Sequence, residues 1–391
     1  MVPYSLYFHV PFCRQRCYYC DFNTFAGMER WIPAYTAALC TEIEKVAAQI
    51  GERIPVHTIF FGGGTPSLLK GEQFEVILQV VDDHFEVLPD SEVSLEANPG
   101  TVSLEYLKAL RALGFNRLSL GMQSANPEEL RLMGRIHDAS EVIQAVKWTR
   151  QAGFDNLNLD LIFGLPSQAL DQWQNSVELA LGMNPDHISM YALTIEEGTP
   201  FFNWFQRGMI VAPDDDLAAD MYEWAGERLE SAGYHQYEIS NWARSREDGT
   251  FLACRHNLQY WRGLPYLGFG PGAHGFARGM RSANVGLIPA YINQASQNPA
   301  GNFPAGPAAA ETRLVDRMTE MQETMMMGLR LVEEGVSLTQ FADRFNQPME
   351  AVFGEPIQRL MHQGLLEKVN GCLRLTRHGR LLGNRVFMEF V

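Results

Sequence analysis

Ser5-Leu6-Tyr7-Phe8-His9-Val10-Pro11-Phe12-Cys13-Arg14-Gln15-Arg16-Cys17-Tyr18-Tyr19-Cys20 runs an apolar segment straight into three cysteines. Ser5–Phe12 has the density of Leu, Phe and Val expected of a strand covered on both faces. Cys13, Cys17 and Cys20 follow as Cys-x-x-x-Cys-x-x-Cys. Three thiolates on one loop can bind three irons of a 4Fe–4S cube and leave the fourth iron open to an exchangeable small molecule. A structural zinc takes four ligands, and no fourth Cys or His lies at knuckle spacing. His9, just upstream, keeps a Cys3His zinc site as the competing reading.

Outward from this stretch, strand-like and helix-like runs alternate to about residue 200. The strands read as Ser5–Phe12, His57–Gly62, Glu92–Ala97, Arg117–Met122, Asn156–Phe163 and His187–Leu193. Between them the spacing predicts helices over Pro33–Ile50, Gly71–His84, Leu104–Leu113, Ser140–Gln151 and Ala169–Leu181, with Gly51, Gly114 and Gly153 as stop signals. β-then-α units in register imply a parallel sheet with right-handed crossovers, satisfied by a doubly wound sheet or by a partial barrel. Residues 201–293 read as loop and short strand packed onto this domain, 294–311 as a linker or surface loop rich in Pro, Gly and Ala, and 312–391 as a small module. In that module Thr319–Leu331, Leu338–Phe345 and Glu355–Gln363 look helical. A hairpin turns at Asn370-Gly371, giving a winged-helix-like α+β pattern.

In parallel α/β folds ligands sit at the carboxyl ends of the strands. Those ends here carry Gly62-Gly63-Gly64-Thr65-Pro66, Glu96 and Asn98, Gln123, Asp160 with Gly164-Leu165-Pro166, and Tyr191. Consecutive glycines let backbone amides approach a ligand. Recurrent polar groups on one rim are harder to explain by packing than any one of them alone.

Cys13-x3-Cys17-x-Tyr19-Cys20 with Gly62-Gly63-Gly64-Thr65-Pro66 resembles the radical S-adenosylmethionine (SAM) superfamily. The resemblance implies a partial (β/α)6 barrel, SAM chelating the open iron, and reductive cleavage to a 5′-deoxyadenosyl radical. His9–Cys13, Glu96-Ala97-Asn98-Pro99, Gly121–Ser124, Gly134-Arg135 and Asn158–Pro166 resemble the oxygen-independent coproporphyrinogen III dehydrogenase group, as does the C-terminal module more weakly. Carried over by that likeness, Tyr7, Tyr19, Gly63, Gly64, Thr65, Glu96, Gln123, Arg135 and Asp160 would bind SAM. The dehydrogenase carries a further cysteine two residues past the third ligand, where this chain has Phe22. Cys20-Asp21-Phe22 is similar instead to the sister family of haem chaperones, HemW. His256-Asn257-Leu258-Gln259-Tyr260-Trp261 fits that family's His-Asn-x-x-Tyr-Trp pattern, which implies a haem site at His256, Tyr260 and Trp261. The competing reading is a loop packed onto the barrel, and a radical SAM enzyme acting on a porphyrinogen, or a related methyltransferase, is the alternative function. His274, in the run Leu267–Gly275, is a second haem candidate, although turn geometry accounts for that run. A haem-accepting protein and an electron donor for the cluster are the implied partners.

The chain has 391 residues, 46% hydrophobic and 20% charged, with net charge −15. This acidity disfavours nucleic acid, and the basic edge of Lys368, Arg374, Arg377, Arg380 and Arg385 is balanced by acidic neighbours. No run reaches the roughly 18–20 apolar residues of a membrane span, and no lipidation motif offers a stable anchor. A strand beginning near Ser5 leaves no signal peptide, so a cytoplasmic protein is expected. Cys40 and Cys372 read as small buried hydrophobes, and Met325-Met326-Met327 as a core stripe rather than a porphyrin slot.

Overall fold

The computed structural model describes residues 2–299 and 301–391. They form two compact units: residues up to 228 with 265–313, and residues 229–264 with 314–391.

The first unit is built on six parallel strands: β1 (Tyr4–Val10), β2 (Pro55–Gly63), β3 (Glu86–Ala97), β4 (Arg117–Gln123), β5 (Leu157–Phe163) and β6 (His187–Ala192). They pair in sequence order, the arrangement of a partial (β/α)6 barrel. The other edge of β1 pairs in parallel with Tyr266–Phe269, which continues antiparallel into His274–Ala277 and Met280–Asn284, with Ala309–Leu314 beyond. The connecting helices are α1 (Ile32–Ala48), α2 (Gly71–His84), α3 (Leu104–Ala112), α4 (Ala139–Gln151) and α5 (Leu170–Gly182).

Each helix follows from its spacing. In α1, Tyr35, Ala38, Leu39, Ile43 and Val46 make one buried stripe, and in α2 Phe74, Ile77 and Val81 do so. Asp138 caps α4, accepting the Glu141 N–H at 3.0 Å while Glu141 accepts the Asp138 N–H at 3.0 Å. Gly51, Gly114 and Gly153 stand in the left-handed region, at φ 76°, 97° and 88°. Aromatic packing closes the sheet: Phe8 stacks on Phe61 at 4.7 Å and on Phe269 at 5.4 Å, and Phe61 meets Phe74 edge-on at 5.1 Å.

Several expectations are corrected here. β1 stops at Val10 rather than Phe12 because Pro11 has no N–H to continue the ladder. β3 begins at Glu86, six residues early, because Pro89-Asp90 lies in a bulge where the register jumps. Residues 201–293 are not mainly loop and short strand: Asp215–Ser231 is a helix, its buried Met221, Ala225 and Leu229 camouflaged by acidic residues. The stretch 294–311, read as a linker or surface loop, is entered by the helix Ile288–Gln297 and left by the edge strand Ala309–Leu314. Residues up to 228 and 265–313 belong to the first unit, whereas 229–264 groups with the C-terminal residues. Cys40 is buried but Cys372 is only half-buried.

The second unit contains Leu338–Phe345 and Met349–His362 with a three-stranded sheet of Val336–Ser337, Cys372–Leu375 and Leu366–Val369. Asn370 and Gly371, at φ 50° and 78°, make the hairpin turn. Met321, Met325, Leu329, Phe341, Phe353, Leu373 and Phe387 fill its core, with Met326 against them. Among the described residues no helix is long and apolar enough to cross a membrane.

Candidate functional site

The carboxyl ends of the barrel strands surround a cavity of about 500 Å3. Cys13, Cys17 and Cys20 line it together with Tyr19, in the loop that follows β1. Pro11 turns the chain there, and its carbonyl accepts the Phe25 N–H at 2.7 Å, closing the loop on itself. The Thr65 hydroxyl donates to the Cys13 sulfur at 3.7 Å, and Arg135 Nη1 donates to the Cys17 sulfur at 3.4 Å. Burial pushes the Cys13 and Cys20 thiols up, and repulsion from neighbouring sulfurs adds to it. Thiolates gathered at that cost suit a cationic iron cluster, which neutralises them. Both nitrogens of His9 are committed, Nε2 to the Asn23 carbonyl at 2.9 Å and Nδ1 to the Tyr7 hydroxyl at 3.0 Å. A Cys3His zinc site would have to break one of these bonds to gain its fourth ligand.

The glycine ridge lies at the root of this loop. The Gly64 and Thr65 amides donate to the Val10 and Phe12 carbonyls, each at 2.8 Å. A methyl on Gly64 would stand 2.6 Å from the Phe12 oxygen, and one on Gly63, at φ 107°, would stand 2.5 Å from the His9 ring. The Gly63 N–H donates to Glu96 Oε2 at 3.1 Å. Burial, and then the Asp160 charge, push the Glu96 carboxyl up to about 7. Asp160 is also raised by burial, although it accepts from Ser119 and Asn158 at 2.9 and 2.8 Å. Two carboxyls facing one enclosure favour a cationic guest, as the sulfonium and ammonium of SAM would be.

Arg135 Nη2 donates to Asn98 Oδ1 at 2.5 Å and to the Gly121 carbonyl at 2.8 Å. Asn98 in turn donates to the Thr65 hydroxyl at 2.9 Å, so one chain of bonds links Arg135, Asn98, Thr65 and Cys13. Gln123 sits at φ 66° where the β4–β5 register slips, turning its side chain to the cavity wall. Backbone strain of this kind persists where the surroundings over-determine it.

Thus Tyr19, Gly63, Gly64, Thr65, Glu96, Gln123, Arg135 and Asp160 share one cavity with the three cysteines, whereas Tyr7 is not among its lining residues. Ser119 and Glu196 line it as well, without having been singled out from the sequence. Arg117 and Asn158, buried beside Asp160, were also missed. Their signal was a polar residue at inward positions of otherwise apolar strands.

His256, Tyr260 and Trp261 lie on the helix Arg255–Trp261 of the second unit. His256 is buried, with Nε2 2.9 Å from the Tyr260 hydroxyl. Arg330 lies 4.5 Å over the Trp261 ring. All three side chains are engaged in internal contacts.

The family model of the radical SAM superfamily matches residues 7–180, and that of the HemN C-terminal domain matches residues 315–382. The chain is similar to "Heme chaperone HemW" of Bacillus subtilis (strain 168), 37% identical over 99% of each chain. It is also similar to the protein of the same name from Escherichia coli (strain K12), 35% identical over 100% of this chain and 98% of the relative. In fold it resembles the solved coproporphyrinogen III oxidase HemN of Escherichia coli, with TM-score 0.83 and 24% identity over 99% of this chain and 90% of that one. Relatives of matched length and identity, with both family segments in order along the sequence, lead to one assignment: the chain belongs to the HemW family of the radical SAM superfamily.

Proposed function

We propose that this protein is a haem chaperone: it binds haem and a SAM-liganded 4Fe–4S cluster and passes haem to an acceptor protein. The observation that carries the reading is end-to-end similarity to proteins named heme chaperone HemW, with Phe22 where a dehydrogenase would carry its extra cysteine. Cys13, Cys17 and Cys20 would hold three irons. Glu96, Gln123, Arg135 and Asp160, with the ridge Gly63-Gly64-Thr65, would bind SAM beside Tyr19, and Tyr7 would act from behind the wall. When bound, the cluster would supply an open iron for the methionyl group and an electron from an external donor. The chain's own part is to hold SAM's positive centres against two buried carboxyls.

His256 would ligate haem iron, since imidazole is a common axial ligand, with Tyr260 and Trp261 against the macrocycle. Because Nε2 faces Tyr260 in a buried setting, ligation requires the helix Arg255–Trp261 to open. Clustered thiols suit a reducing cytoplasm. The test is haemin titration of anaerobically reconstituted protein, wild type and His256→Ala, with and without SAM. A Soret shift in the wild type that weakens in the variant is expected. No Soret shift in the wild type overturns haem carriage. Following 5′-deoxyadenosine, with coproporphyrinogen III as substrate, separates carrier from enzyme: turnover would favour the enzyme.

A further inference from the structure

The glycine-rich run Leu267–Gly275 has no part in that reading, yet it lies against the end of the cysteine loop. We propose that this run is a receptacle for Asn23, and that Asn23 is a positioning residue fixing the loop that carries Cys20. This rests on the reading that the three cysteines hold a 4Fe–4S cluster.

Asn23 follows Cys20 by three residues and is tied on three sides. Its Nδ2 donates to the Pro271 carbonyl and to the Gly286 carbonyl, each at 2.9 Å. Its own carbonyl accepts from His9 Nε2 at 2.9 Å. A carbonyl can only accept, so Nε2 carries the hydrogen and Nδ1 accepts the Tyr7 hydroxyl at 3.0 Å. Two glycines make the receptacle. A methyl on Gly272, at φ 76°, would stand 2.5 Å from Asn23 Nδ2, and one on Gly286 would stand 3.2 Å from Oδ1. Turn geometry alone therefore does not account for Gly272: its missing side chain is the space the amide occupies.

The receptacle is itself anchored. The buried Glu42 carboxylate accepts the Gly270 N–H at 2.9 Å, Asn284 Nδ2 at 2.6 Å and the Tyr291 hydroxyl at 2.6 Å. Asn284 also donates to the Gly270 carbonyl at 2.9 Å. On the other side the His9 ring fills the space beside Gly63. Glu42, Gly270, the adjoining Pro271, Asn23, His9 and Gly63 thus form one continuous path from the core of the unit to the glycine ridge, passing the root of the cysteine loop. Groups hydrogen-bonded to metal ligands commonly change metal affinity ten- to hundredfold when removed, and Asn23 acts one step further out, through the loop itself.

The experiment compares wild type, Asn23→Ala, Gly272→Ala and the double variant after anaerobic iron–sulfur reconstitution. Two quantities are read: the rate of iron loss to a ferrous chelator, and the thermal midpoint of the cluster-free protein. Asn23→Ala should lose iron about 10- to 100-fold faster with the midpoint within a few degrees of wild type. Gly272→Ala should also lose iron faster, with a lower midpoint because alanine is strained at φ 76°. The double variant should be no faster than Asn23→Ala, because its methyl enters the space the amide vacates. Iron loss from Asn23→Ala within twofold of wild type overturns the proposal, as would single effects that multiply. Should Gly272→Ala fail to fold, the comparison of Asn23→Ala with wild type still decides. Wild type that takes up no iron would instead overturn the cluster reading itself.

Discussion

Glu96→Gln separates what the cavity costs the fold from what it gives a ligand. The Glu96 carboxyl is pushed up to about 7 from an ordinary 4.5, by burial first and by Asp160 second. Folded protein holds this proton more tightly than unfolded chain does. Stability therefore falls as pH rises from about 4.5 to about 7 and levels off above. A carboxylate ionised that far above its usual range costs on the order of 3 kcal/mol in a dry site. Glu96 is half-buried, and solvent screening at the cavity leaves about 2 kcal/mol. Glutamine keeps an acceptor for the Gly63 N–H and removes the charge. Cluster-free Glu96→Gln should gain about 2 kcal/mol at pH 8, gain nothing near pH 4.5, and lose the slope between. The same change removes a charged partner from SAM, worth about 1.5–3 kcal/mol, or roughly ten- to hundredfold in affinity. Urea denaturation across pH measures the first effect and anaerobic equilibrium dialysis of SAM against reconstituted protein the second. A variant less stable than wild type at pH 8, or one with undiminished SAM affinity, refutes the reasoning.

Tyr260→Phe removes the hydroxyl 2.9 Å from His256 Nε2. Haem binding should strengthen by about 1 kcal/mol, roughly fivefold, and an unchanged or weaker Soret titration would show that this bond does not compete with iron. Gly64→Ala places a methyl 2.6 Å from a backbone oxygen that cannot rotate away. A loss of about 1–3 kcal/mol is expected, visible in urea denaturation together with weakened SAM retention; a variant matching wild type in both shows that the ridge has room. Arg330→Met removes the guanidinium 4.5 Å over Trp261 and a cation that holds down the carboxyl of Glu238, which burial raises. Destabilisation of about 1–2 kcal/mol is expected, larger at pH 8 than at pH 6 because Glu238 can then escape only by unfolding. A pH-independent loss would assign the whole effect to packing.

Much of the barrel was legible because its strands and helices obey single periods, and helix α2 falls where its spacing puts it. Misreadings arose where two signals overlapped. The strand read as Glu92–Ala97 begins at Glu86, across a bulge that holds Pro89, and the acidic side of Asp215–Ser231 hid an apolar stripe of three buried residues. At the site, Cys13, Cys17 and Cys20 were visible as a spacing, whereas Asn98 joins them only through the fold, between Thr65 and Arg135. Asn23 had no signal at all: its partners Pro271 and Gly286 lie some 250 residues away in the chain. Non-local pairing is what one-dimensional patterns lack.

The pairing of β1 with Tyr266–Phe269 bears on how the chain is made. β1 leaves the ribosome before the strand that covers its second edge, which emerges more than 250 residues later. At roughly 5–20 residues per second that is a wait of about 10–50 s. Throughout it, an edge formed by Ser5, Leu6, Tyr7 and Phe8 is open to any extended peptide in reach. Nascent chains stalled before Tyr266 should therefore be the species most prone to aggregate, and emergence of Tyr266–Phe269 ends that hazard.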